Sequence, residues 1–153
     1  MNVEEKCTNY ETLKHIQLVQ HYIHTVVKHL IDRGENHDKT KLDTPELEAF
    51  TRETPKLNSL TFGTPEYTAS LKALGPALDH HYAHNRHHPQ HFKNGIDDMN
   101  LIDIVEMFCD WSASCQRHND GNIRKSIEHN GKRFDISPQL VHIFENTINV
   151  LGL

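Results

Sequence analysis

The segment 78–92, LDHHYAHNRHHPQHF, gathers His80, His81, His84, His87, His88 and His91, in a chain that carries fourteen histidines among 153 residues. Imidazoles at this density can ligate a divalent metal, titrate near pH 6 as a pH sensor, or sit in solvent. Two other features favour ligation. His37-Asp38 sets an imidazole beside a carboxylate, and Asp110 lies in the strongly apolar stretch LIDIVEMFCDWSASC. A carboxylate among apolar neighbours is costly unless it is paired, hydrogen-bonded or metal-bound. Mixed imidazole and carboxylate donors suit hard-to-borderline divalent ions, and helical bundles build such sites from side chains on separate helices.

The scaffold that must position these donors reads as helical, with strand signals nearly absent. A first helix is expected from about residue 9 to 33, with Val19, Tyr22, Ile23, Val26, Val27, Leu30 and Ile31 at helical spacing and Gly34 as its stop. Pro45 at a first helical position opens a short helix carrying ELEAF. Thr64-Pro65-Glu66 starts a third, running to about His84 with a kink at Gly75-Pro76, and Pro89 bars helix beyond His88. LIDIVEMFCDWSASC, GNIRKSIEHNGKRF and QLVHIFENTINVL supply the rest, the last capped by Ser137-Pro138. The expected fold is all-α, one domain over residues 1–153, a bundle of about five or six helices.

Helical phase sorts the polar residues. His15 shares a face with Val19, Tyr22, Val26 and Leu30, whereas His21 and His24 fall on the opposite face. Asp103, Glu106 and Asp110 form one stripe through offsets of three and seven. Asp103 stands where a helix start favours an acid; Asp110, two turns in, has no such explanation. Neighbours on a regular helix diverge, so one member of each pair 80/81 and 87/88 is expected to ligate and the other to meet substrate or solvent. His84 and His91 read as solvent-facing or supporting.

Composition narrows the function classes. A net charge of −5 argues against a duplex nucleic-acid binder, which carries a basic stripe. Cys7, Cys109 and Cys115 have no disulfide-framework spacing, and Cys109 reads as a small core residue, so a reducing, cytoplasmic compartment is expected. No apolar run is long enough to span a bilayer, and the polar, acidic start is unlike a secretory signal.

The order His15, His37-Asp38, the 80–88 histidines, then Asp110 resembles the HD-domain metal-dependent phosphohydrolases. HDKTK is similar to that family's His-Asp-x-x-Lys segment, and IVEMFCDW looks like the helix bearing its last metal-binding Asp. A likeness over nearly the whole chain is to a family of small, uncharacterised bacterial and phage proteins, through HDKTKL, EYTASL, HHYAHNRHHPQHF, MNLIDIVEMFCDW and KSIEHNGKRF. That family brings no activity to carry over. It implies a bacterial cell or a phage-infected host as the setting.

The HD resemblance implies an HD-like helical domain with His15, His37, Asp38 and Asp110 as ligands of one divalent ion. His80 or His81, with His87 or His88, would hold a second. The ions would be Mn, Fe, Co, Mg or Zn, and the reaction hydrolysis of a phosphate ester, on a nucleotide or a related small molecule. Phosphate needs cationic donors. Arg86 within HNRHH is the first candidate, because an Arg fork matches phosphate, and Lys41 is the next. Ser126, Asn130 and Arg133 share one helical stripe and could line the substrate, and Trp111 could stack a base or fill the core. Glu106 could orient a ligand histidine or act as general acid or base, which makes Glu106 and Lys41 the candidate catalytic groups. The partner implied is a small phosphorylated substrate, with homo-oligomers possible. The alternatives are a non-catalytic structural or regulatory metal protein and an adaptor whose histidines are surface features.

Overall fold

The computed structural model describes residues 2–57, 59–61, 64–117 and 121–153. Every described regular element is helical, and the fold is all-α. Among the described residues there are six α-helices: α1 (Val3–Asn36), α2 (Glu46–Leu57), α3 (Pro65–His84), α4 (Leu101–Cys115), α5 (Ile123–Arg133) and α6 (Pro138–Leu151). Short 3-10 turns lie at Lys39–Leu42, Pro89–His91 and Gly95–Asp98. Among the described residues no helix is long and apolar enough to cross a membrane.

The chain divides into two compact units, residues 1–36 and 37–153. The first is α1. It begins well before residue 9 because Asn2 and Glu5 cap it reciprocally: the Asn2 amide donates to Glu5 Oε2 at 2.7 Å and the Glu5 amide to Asn2 Oδ1 at 2.8 Å. Gly34 does not stop it. The left-handed residue that breaks the helix is Asp38 (φ 57°), a conformation Asp tolerates better than most side chains.

In the second unit, side-chain caps fix the helix starts. Thr64 accepts from the Tyr67 amide, Asn122 from Lys125, and Ser137 from Leu140. Gly75 (φ 37°, ψ −118°) kinks α3 before Pro76, a backbone state that glycine adopts without a Cβ penalty. Asn100 and Asp103 form a capping box at the start of α4. Met107, Phe108 and Trp111 of α4 pack with Ile123 and Ile127 of α5, Ile136, and Phe144 and Ile148 of α6 as the core. Cys109 departs from expectation and is exposed: it lies about 200° around α4 from Met107, opposite the packed face. The face between carries the acids. Asp103 and Glu106 are buried and Asp110 is half-buried, so α4 supports the apolar core and the polar site together.

Candidate metal centre

Four separate segments deliver the site. His37 and Asp38 come from the break after α1, His81 from the last turn of α3, His87 and His88 from the irregular stretch after it, and Glu106 and Asp110 from α4. The left-handed turn at Asp38 lets two adjacent residues converge, with His37 Nε2 3.5 Å from Asp38 Oδ2. The other Asp38 oxygen lies 3.3 Å from His81 Nε2 and 3.5 Å from His87 Nε2. His81 Nε2 and His88 Nε2 stand 2.8 Å apart, and His37 Nε2 is 3.7 Å from Asp110 Oδ1.

Two overlapping donor sets result, each with ligand atoms within 4.8 Å of one another: Asp38, His81, His87 and His88, and His37, Asp38, His87 and Asp110. Asp38 and His87 belong to both. Donors on one ion at bonds of ~2.1 Å stand ~3.0 Å apart in octahedral and ~3.4 Å apart in tetrahedral geometry. The observed 2.8–3.7 Å separations fall around those edges. Asp38 Oδ1 and His87 Nε2, 3.5 Å apart, are buried with no hydrogen-bond partner. Buried polar atoms are normally satisfied, so orphans gathered at one point are what a metal site requires. The donor set fits a divalent ion.

The charges agree with the geometry. Asp110 and Glu106, with help from Asp38, push His37 up to about 10 against the opposing effect of burial. Burial would raise Asp110, but His37, then His87 and His88, hold it down at about 2. Burial would likewise raise Asp38, and Lys41, with His37 and His81, holds it below the usual carboxylate range. Burial and the neighbouring His87 and His81 push His88 down to about 3, and burial also lowers His81. Neutral imidazoles with bare ring nitrogens are the state a metal needs.

The sequence candidates separate in space. His37, Asp38, His81, His87, His88 and Asp110 come together. His87 and His88 both face the centre because α3 ends at His84, and the irregular backbone beyond it frees them from helical divergence. In the 80/81 pair His81 is inward. His80 instead directs Nδ1 to Glu46 and stacks on His84 at 4.1 Å. His15 is on α1 in the first unit and belongs to neither donor set. Glu106 Oε1 accepts from His37 at 3.0 Å and lies 3.1 Å from His87 Nδ1. Lys41 pairs with Asp38. Arg86 is held by a bidentate pair with Asp103, at 3.1 and 2.9 Å, and its guanidinium lies over the Phe92 ring.

A cleft of about 720 Å³ opens on the centre at His88 and Asp110. Lys41, Trp111, Ser126, Asn130 and Arg133 line it, with Lys125 and Arg117 adding cations. Trp111 is also a core residue, against Phe144 and Phe134. Glu46 and Asn85 carry no signal in the sequence: both are buried beside His81, Glu46 from the first residue of α2.

Residues 4–150 match the DUF5662 sequence family, a family of unknown function. The chain belongs to DUF5662. No curated protein and no solved structure matches this DUF5662 member. The His/Asp cluster that could hold a metal lies wholly within the matched span.

Proposed function

We propose that this protein is a metal-dependent phosphohydrolase of HD-like type that acts on a nucleotide or a related small phosphate ester. The observation that carries the proposal is the buried, unpartnered pair Asp38 Oδ1 and His87 Nε2, 3.5 Å apart, on the two residues common to both donor sets, beside a cation-lined cleft. Asp38 and His87 would hold an ion, completed either by His37 and Asp110 or by His81 and His88; an imidazole nitrogen has one lone pair, so His87 serves one ion at a time. Bound divalent ions supply polarisation of a phosphoryl oxygen and acidification of water.

The remaining roles belong to the chain. Lys125 and Arg133 bring positive charge to the cleft wall, where an anionic ester would be drawn in and oriented. Lys41 steadies Asp38 through its ion pair and also lines the cleft. Glu106 orients His37. Trp111 presents part of its ring to the cleft. A cleft of this size suits a nucleotide-sized ligand.

The test is a hydrolysis panel of nucleoside mono-, di- and triphosphates and simple phosphate esters, run with Mn, Fe, Co, Mg and Zn. Turnover that needs a divalent ion and disappears in Asp38→Ala and Asp110→Ala is expected. Stoichiometric metal with no turnover on any ester would favour a non-catalytic metal-binding protein instead.

A further inference from the structure

Glu46 sits at the first position of α2, fully buried, and both its oxygens are taken by imidazole. Oε1 lies 2.7 Å from His80 Nδ1 and Oε2 lies 2.8 Å from His81 Nδ1. An ionised carboxylate can only accept, so each Nδ1 must carry the hydrogen. The neighbours leave this arrangement open. The Asn85 side-chain amide is 3.1 Å from His81 Nδ1, but its two hydrogens have better acceptors in Thr40 Oγ1 at 2.8 Å and the His81 carbonyl at 2.9 Å. With Nδ1 protonated, His81 Nε2 is a bare lone pair, and it faces Asp38 Oδ1 at 3.3 Å and His88 Nε2 at 2.8 Å.

We infer that Glu46 is a positioning residue of the metal centre: it fixes the tautomer and the ring direction of His81 so that Nε2 is presented to the ion. The inference rests on the metal-centre reading above. A carboxylate that holds the far nitrogen of a ligand imidazole raises ligand basicity, and losing such a partner typically costs ~10–100-fold in metal affinity. The second oxygen, on His80, ties the same carboxylate to a residue outside both donor sets. The roles are therefore separable: removing His80 leaves the Glu46–His81 contact in place.

Long-range 15N–1H NMR of the metal-free full chain reads the tautomer directly, and His81 should carry its proton on Nδ1. Glu46→Gln replaces two charged acceptors by one neutral acceptor and one donor, so it lowers the basicity of His81 and weakens the hold on its ring whichever way the amide turns. With Zn and Mn as probes, E46Q should bind ~10–100-fold more weakly than wild type, and His80→Ala should bind within ~3-fold of it. A wild-type His81 protonated on Nε2 overturns the inference, with no variant needed. On a wild type that binds metal, unchanged affinity in E46Q overturns the role of Glu46 alone. A wild type that takes up no metal overturns the inference and the metal-centre reading together.

Discussion

Loading the His37, Asp38, His87 and Asp110 set with a divalent ion must take a proton from His37. In the metal-free protein Asp110 and Glu106 hold this imidazole protonated, with its pKa pushed up to about 10, yet a ligand imidazole must be neutral. At pH 7 the ion competes with a proton three pH units below that value, a penalty on the order of 1,000-fold in apparent affinity. His81 and His88 are shifted the other way, by burial first, so both are already neutral at pH 7 and release nothing. Asp38 and Asp110 are held ionised. Binding at pH 7 should therefore release about one proton, and apparent affinity should rise roughly tenfold per pH unit from 6.5 to 8.5. Calorimetric titration with Zn or Mn in buffers of different ionisation heat counts the protons. His37→Gln is the control that separates the imidazole from ionisation of bound water, and it should abolish the release. Affinity that stays flat across this range, or proton release that survives in His37→Gln, would refute the reasoning.

The same pair governs the metal-free protein's stability. His37 is raised from 6.5, so its contribution is complete below that pH and is lost as pH climbs through about 10; Asp110 is lowered from 3.8, so its contribution holds above that pH and is lost as pH falls through about 2. His81 and His88 are lowered from 6.5, so the unfolded chain takes up their protons first and stability also falls as pH drops below 6.5. Denaturant melts without metal should therefore peak near pH 6.5 and decline on both sides, and added metal should remove the alkaline decline. Asp103→Ala strands Arg86 and breaks the α4 capping box, so it should cost roughly 2–4 kcal/mol in urea unfolding while metal content is retained. Arg86→Ala should lower stability too, with the KM of any ester substrate unchanged, since its guanidinium is occupied by Asp103. Lys125→Ala combined with Arg133→Ala should raise KM for anionic esters by roughly tenfold or more, with metal stoichiometry preserved, as binding and activity assays would show.

The starts of α3 and α6 were legible because their caps are local: Thr64 and Ser137 announce them within three residues. The candidate ligands His37, Asp38 and Asp110 stood out because a carboxylate in an apolar segment and an adjacent imidazole-carboxylate pair need explaining chemically. What depends on tertiary contact was not legible. Glu46 looks like an ordinary first-turn acid until α2 and α3 pack and bury it on two histidines. Arg86 looks like a phosphate fork until the 85–88 segment turns it onto Asp103. α3 ends at His84 as expected, but that the irregular backbone beyond it turns both His87 and His88 onto the centre depends on tertiary packing.

Anomalous diffraction from crystals grown with Mn or Zn tests the central claim most directly. The account predicts an ion bonded to Asp38 Oδ1 and His87 Nε2 at ~2.1 Å, completed by His81 and His88 or by His37 and Asp110. Anomalous density confined to surface carboxylates, with Asp38 and His87 left uncoordinated, would contradict it.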